Sequence, residues 1–276
     1  MGTAVLADNL AVMRLLPDGC LDLIYLDPPF NTGVARTGGR LTTTADGIGD
    51  RTGFGGRRYR TRPEPGPAFP DTFADYLAFL DPRLRECRRL LAPSGTLYLH
   101  LDPREAHYCK VRLDEIFGID AFLNEVVWIY DFGGRGRRRW APKHDTILVY
   151  VRSPGGHYFS PAAVDRIPYL APGLVDPVKR ARGKLPTDAW WQTIVPTGGR
   201  ERSGYPTQKP LAVLRRIIQA SSPPGSLVAD FFAGSGTTGV AAAELGRRFL
   251  LVDCLPAALA VQRRRLSQVG GVHFPD

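Results

Sequence analysis

Apolar residues along this chain alternate between short branched runs and longer stretches at helical spacing. Ala4 to Leu6 is one such run, ending at Asp8-Asn9. Leu10, Met13, Leu15 and Leu16 then repeat as one helix face, closed by the turn Pro17-Asp18-Gly19. Leu21 to Leu26 is short and branched enough for a buried strand, so a strand-helix-strand unit fills the first 27 residues. That unit builds a parallel sheet. The strand meets Asp27-Pro28-Pro29-Phe30, where two prolines without amide hydrogens end any ladder and leave a stiff, extended corner.

The rhythm resumes further on. Phe73, Tyr76, Leu77, Leu80, Leu84, Cys87 and Leu91 predict an amphipathic helix over 73–91, and Thr96 to Leu101 a strand. A helix over 104–117 leads to strands over 122–130 and 146–151, the two joined as a hairpin by an Arg-rich loop ending in Trp140. Helix 211–221, strand 227–229, helix 237–245, strand 249–252 and helix 256–268 complete an α/β pattern. Two stretches lack rhythm. Residues 33–70 are rich in Gly, Thr and Arg and carry Pro63, Pro65, Pro67 and Pro70, which reads as a long loop, either disordered or DNA-facing. Residues 155–200 read as a small irregular insertion outside the core layers, with Trp190-Trp191 adjacent.

Composition narrows the partner. The 276 residues hold 36 basic against 27 acidic side chains, a net +9, and only five of the bases are Lys. Arg suits bidentate phosphate contact and base stacking, which favours nucleic acid, while Arg-rich codon usage is the competing explanation. Arg135, Arg137, Arg138, Arg139 and Trp140 are the candidate DNA contacts at the hairpin tip; a solvated charge run is the alternative. Cys20, Cys87, Cys109 and Cys254 form no metal-ligand spacing, so no metal is expected and a reducing cytosol is. No apolar run approaches the length of a membrane span.

Chemistry concentrates at two strand ends. Asp230 closes one strand and opens Phe231-Phe232-Ala233-Gly234-Ser235-Gly236-Thr237-Thr238-Gly239, with Asp253 closing the next strand. Strand, Gly-x-Gly turn, helix, strand, acid is the nucleotide-binding half of a doubly wound sheet. No Lys follows the glycines, which excludes a phosphate-cradling P-loop. Asp27 to Phe30 sets a carboxylate, a carbonyl and an aromatic face at the sheet edge where such folds bind ligands, although a plain strand-ending turn has the same local form.

Together these residues resemble the β-class amino DNA methyltransferases. Asp230 to Thr238 resembles their S-adenosylmethionine loop, Asp27-Pro28-Pro29-Phe30-Asn31 their catalytic motif, and Pro206-Thr207-Gln208-Lys209-Pro210 the segment before the loop. The resemblance spans nearly the whole chain outside 33–70 and 155–200. It implies a mostly parallel, doubly wound, seven-stranded sheet, circularly permuted: a catalytic half at 1–154, a target-recognition region at 155–200 and a cofactor half at 201–276. It implies S-adenosyl-L-methionine held by Asp8, Asn9, Thr207, Lys209, Asp230, Phe232, Ala233, Gly234, Ser235, Gly236, Thr237 and Asp253. Asp8 is equally a cap for the helix beside it.

The resemblance further implies methyl transfer to the exocyclic amino group of a flipped base in double-stranded DNA. Asp27 and Pro28 are the expected acceptors for the amine, Pro29 the stiffener and Phe30 the stacking platform. Asp at position 27, with Phe30-Asn31 after it, resembles the adenine-N6 members more than the cytosine-N4 members. None of the four cysteines follows a Pro, which argues against carbon-5 cytosine chemistry. RNA or protein-glutamine methylation and a non-catalytic DNA-binding subunit are the remaining alternatives. A homodimer and a cognate restriction endonuclease are partners such enzymes often have, and the expected location is the cytoplasm, on the nucleoid.

Overall fold

The computed structural model describes residues 1–52, 56–131, 136–196 and 198–275. The chain begins β1 (Gly2–Leu6), α1 (Asn9–Leu15), β2 (Leu21–Leu26), β3 (Arg36–Ala45), β4 (Arg51–Thr52) and β5 (Arg58–Phe69). It continues α2 (Tyr76–Leu90), β6 (Leu91–Leu101), α3 (Ala106–Phe117), β7 (Phe122–Ile129), β8 (His144–Val151), α4 (Pro177–Arg182) and β9 (Ala189–Trp191). It ends α5 (Leu211–Ser221), β10 (Leu227–Asp230), α6 (Thr237–Glu244), β11 (Arg248–Asp253), α7 (Pro256–Leu266) and β12 (Val272–His273).

The main sheet has the order β12-β1-β11-β10-β2-β6-β8-β7-β9. Pairing is parallel from β12 through β6, antiparallel across β6, β8 and β7, and parallel again at β9. The seven inner strands match the expected sheet; the edge strands β12 and β9 add two and three residues. Strand β2 is buried on both faces, as parallel strands are. Its Ile24 and Leu26 join a core with Met13, Leu80, Leu84 and Leu113 from α1, α2 and α3. Leu23 and Tyr25 join the opposite core with Leu214, Ala241 and Leu259 from α5, α6 and α7. Among the described residues no helix is long and apolar enough to cross a membrane.

Two expectations need correction. Residues 33–70 are not a structureless loop: β3, β5 and β4 form a separate antiparallel sheet with β3 paired to β5 along most of its length. The prolines concealed it. Pro63 and Pro65 are two residues apart with unbroken register, so their missing N–H groups fall on one side of β5, Pro67 lies in the irregularity opposite Gly38, and among the described residues β4 pairs with β5 only at Arg58 and Tyr59. Proline is tolerated on such a free edge and blocks further pairing along it. The 155–200 stretch, in turn, is not wholly outside the core: β9 pairs with β7, and Trp190 is buried among Trp128, Val126 and Leu214.

The ribbon of β3 and β5 has a built root. The buried Asp71 carboxylate accepts from Asn31 N–H (2.7 Å), Thr32 Oγ1 (2.5 Å) and Arg36 Nε (3.2 Å), tying the strand that enters the ribbon to the one that leaves it. Phe69 stacks on Tyr205 at 6.4 Å, and Arg202 donates to the Gly39 carbonyl at 3.0 Å. Gly38 packs so closely that a Cβ there would lie 2.5 Å from the Gly204 carbonyl oxygen. Gly38→Ala is therefore expected to lift the ribbon from the 204–206 turn while the main sheet melts as before. Limited trypsinolysis should show faster cleavage at Arg57, Arg58, Arg60 and Arg62; an unchanged rate would mean that the root does not depend on this contact.

Candidate active site

Parallel register puts the carboxyl ends of β1, β11, β10 and β2 side by side, and each ends at or within two residues of an acid: Asp8, Asp253, Asp230 and Asp27. Above them lies a cavity of about 300 Å³. A wider cleft of about 760 Å³ adjoins it, and Phe30, Tyr205, Thr207 and Lys209 wall both. The open edge of an α/β sheet is where such folds take ligands.

The catalytic candidates stand at the junction. Lys209 Nζ donates to both Asp27 carboxylate oxygens at 2.6 Å, and both side chains are largely buried. The same ammonium sits 4.8 Å from the Phe30 ring centroid. Sequence reasoning gave Lys209 to the cofactor; the structure puts it in the cavity wall and pairs it with Asp27 as well. Beneath Phe30 is a buried network that sequence reasoning missed. His100 is tilted against the Phe30 ring at 6.0 Å, its Nδ1 2.8 Å from the Tyr25 hydroxyl and its Nε2 3.1 Å from Asp145. Tyr130 donates to the other Asp145 oxygen at 3.0 Å. Burial pushes the Asp145 carboxyl up, but the His100 hydrogen bond, with the His100 and Lys209 charges and Tyr130, outweighs it and leaves the group below its ordinary value. Burial, then the charges of Asp27, Asp230 and Asp145, raise the Tyr25 phenol. The available signal was a polar residue inside each apolar run, His100 in Leu97 to Leu101 and Asp145 before Thr146 to Val151.

The cavity wall collects most of the expected cofactor residues: Asp8, Asn9, Thr207, Asp230, Phe232, Ala233, Gly234, Ser235, Thr237 and Asp253. Gly234 has φ +47 and a Cβ there would press on Tyr205 at 3.1 Å, so the backbone reaches the cavity only as glycine. Gly236, φ +75, is the residue from which α6 starts and leaves no room for a Cβ beside Gln262. Asp253 accepts from Gly234 N–H (2.8 Å) and Leu255 N–H (2.9 Å), which leaves each carboxylate oxygen a further lone pair. Burial raises its carboxyl. Asp8 caps α1 through Ala11 N–H at 2.9 Å while also lining the cavity. Asn9 is spent on structure, donating to the Phe231 carbonyl and accepting from Arg83. Phe79 and Arg83, one turn apart on α2, complete an apolar wall with Phe232 that sequence reasoning did not find. A flat apolar slot, glycine backbone and acid acceptors fit an adenosine group.

Two backbone positions carry strain beside the site. Asn31 and Thr207 have φ +55 and +57. Asn tolerates that region, whereas for β-branched Thr it is an outlier held by its surroundings. Of the proposed DNA contacts, Arg139 and the exposed Trp140 line the wider cleft, and Arg137 and Arg138 are exposed nearby. Arg135 lies outside the described residues.

Asp230 has no charged partner among the described residues. Burial pushes its carboxyl up to about 7, against hydrogen bonds from Thr238 Oγ1 (2.5 Å) and Phe232 N–H (3.0 Å) and helped by the charges of Asp27 and Asp253. An unfolded Asp titrates near about 3.9. Between these values the folded chain holds a proton that the unfolded chain has released, so this group's contribution to stability falls as pH rises from 4 to 7 and levels off above. Asp230→Asn keeps an acceptor for Phe232 N–H, its amide can donate to Thr238 Oγ1 in place of accepting from it, and it should lose that slope. The melting temperature of the natural chain relative to the variant is expected to drop between pH 5 and 7; parallel curves would place the proton elsewhere.

Comparison with known proteins agrees with this geometry. The family model described as DNA methylase matches residues 21–261. Type II methyltransferase M.HpaI of Haemophilus parainfluenzae is 29% identical over 263 residues, covering 95% of this chain and 73% of that protein. DNA adenine methyltransferase YhdJ of Escherichia coli is 28% identical over 273 residues, 96% of this chain and 82% of its own. Among solved structures, the M1.HpyAVI–SAM complex superposes with a TM-score of 0.61 at 19% identity, covering 96% of this chain and 99% of that one. The cytosine-N4-specific PvuII DNA methyltransferase superposes with 0.65 at 13% identity, covering 96% and 86%. At such identities the structures speak for the fold alone, whereas the family match runs from β2 into α7 and so takes in the Asp27 corner, the Lys209 segment and the Gly234 turn; the chain belongs to the DNA methylase family of amino methyltransferases, whose members act at adenine N6 or cytosine N4.

Proposed function

We propose that this chain methylates the N6 amino group of adenine in double-stranded DNA, with S-adenosylmethionine as methyl donor. The observation that carries the reading is the position of Asp27, which lines the cavity and is held by Lys209, a residue of the wall that cavity shares with the wider cleft. An exocyclic amine on adenine is a poor nucleophile because its lone pair is delocalised into the ring. Hydrogen bonds from its two N–H groups to the Asp27 carboxylate and the Pro28 carbonyl draw that lone pair out of conjugation, charge stabilisation by acceptors already in place. Pro29 stiffens the corner, and Phe30 offers a face for the base once it leaves the duplex. Lys209 holds the carboxylate in one orientation, so little reorganisation accompanies the reaction.

When bound, S-adenosylmethionine supplies a methyl group on a positively charged sulfur. In this reading Asp253 and Asp8 accept from its adenosine, the wall of Phe232 and Phe79 packs against it, and the Gly234 backbone lets it approach. Asp rather than Ser at position 27, followed by Phe30-Asn31, supports adenine over cytosine, as does the adenine specificity in the name of the Escherichia coli relative. Arg139 and Trp140 line the cleft, which supports assigning them, with Arg137 and Arg138, to DNA contact, and residues 155–200 are the region we assign to sequence choice.

Asp27→Ala is expected to lower kcat by about three orders of magnitude while S-adenosylmethionine still binds, read by calorimetry beside a methyl-transfer assay. Retained turnover would remove Asp27 from the chemistry. Mass spectrometry of nucleosides from DNA of expressing cells should show N6-methyladenine, and N4-methylcytosine alone would reverse the choice of base.

A further inference from the structure

The ribbon of β3 and β5 leaves the main sheet shortly after Phe30 and returns at Asp71, and its root lines the cleft through Arg36, Thr37 and Gly38. Residues 36–69 carry seven arginines, no lysine and three acids, a net +4 within a chain of +9. Those on β5 are not scattered. Arg58, Arg60 and Arg62 alternate with Tyr59 and Thr61, and residues two apart on a strand share a face. Thr44 pairs with Arg60, so this hydroxyl joins the same face. Arg58 and Arg62 are exposed; Arg60 is half-buried and reaches Asp46 at 2.8 Å.

We propose that this ribbon is a DNA-binding arm, its arginine face laid against the backbone of the duplex whose base enters the cleft. The inference rests on the methylase reading above and adds a second contact surface, independent of the 137–140 loop. Three observations carry it. Arginines two apart repeat about every 6.8 Å, along a ribbon about 34 Å long over the ten residues of β3, which is about one turn of duplex. A two-stranded ribbon is also narrow enough for a major groove. The root is fixed to the catalytic corner rather than to a flexible linker: Asp71 binds Asn31, and Phe69 and Arg36 line the enclosed cavity. A phosphate gripped by the arm is thereby held in register with Phe30. A second copy of the chain is a poor occupant, since its matching face would bring arginine to arginine.

The test is fluorescence anisotropy of a labelled mixed-sequence duplex across a salt series, with S-adenosylhomocysteine calorimetry to verify folding. Joint Arg58→Gln, Arg60→Gln and Arg62→Gln should weaken DNA binding about tenfold or more at low salt. The same change should lower the slope of log affinity on log salt by roughly two to three, with S-adenosylhomocysteine affinity unchanged. Replacing the three by Lys should keep the slope. Should the Gln triple lose S-adenosylhomocysteine binding, Arg58→Gln with Arg62→Gln, both exposed, decides the question by the same readout. A natural chain that binds with a steep slope, and Gln variants that match it, would overturn the arm and leave the methylase reading intact. A natural chain with no affinity for duplex DNA would overturn both.

Discussion

Parallel register forces carboxylates together in this fold. Four adjacent strands deliver Asp8, Asp253, Asp230 and Asp27 to one edge, and like charges gathered in a half-buried space repel unless each is answered. The protein answers them differently. Asp8 is exposed, caps a helix and lies 3.5 Å from Arg83. Asp253 takes backbone N–H groups from the Gly234 turn and Leu255. Asp230, with no cation among the described residues, is raised by burial and by its neighbours, the way a crowded acid gives up its charge. Asp27 has Lys209. The glycine turn, the helix caps and the Pro206 to Pro210 segment can all be understood as solutions to this one crowding problem.

Lys209 is the solution that matters for chemistry. It arrives from 182 residues downstream and spends its ammonium on both oxygens of one carboxylate. A pair so buried gives little net stability, because desolvation offsets most of the attraction. What it does give is direction. With both oxygens held by one ammonium the carboxylate is fixed at the cavity wall, and the cation also lies against Phe30, which lines cavity and cleft alike. Strain at Thr207, two residues away, marks the backbone path needed to bring the ammonium there.

The alternation of apolar runs made the doubly wound sheet legible before any coordinates, because buried strands and amphipathic helices obey fixed periods. The Asp27 corner and the Gly234 turn were legible for a related reason: proline and glycine are each constrained by backbone geometry rather than by distant partners. What escaped depends on partners far apart in sequence. Asp71 looks like any loop acid until Asn31, Thr32 and Arg36 are folded onto it. His100 and Asp145 meet only once β6 and β8 pair. The ribbon was hidden by a rule applied without its exception: proline excludes a strand only where its missing N–H would face a partner, and Pro63 and Pro65 share one side of β5 while Pro67 falls at a break in register.

Charge is sorted by depth as well as by sign. At the mouth of the site each acid is matched by a cation, Arg83 with Asp8, Arg36 with Asp71 and Lys209 with Asp27, so little net field from them reaches solvent. Arginines without an ion pair among the described residues lie outside, Arg58 and Arg62 on the β5 face and Arg137 to Arg139. A polyanion approaching this surface meets cations first and is drawn in by them. In the cavity the cations Arg36, Arg83 and Lys209 are each held by an acid, beside carboxylates, carbonyls and aromatic faces. A phosphate has no hydrogen to give those groups, whereas a base amine has two. Under the proposed reaction, the outer layer therefore selects the polymer and the inner layer selects the one part of it that is neutral, flat and bears N–H groups.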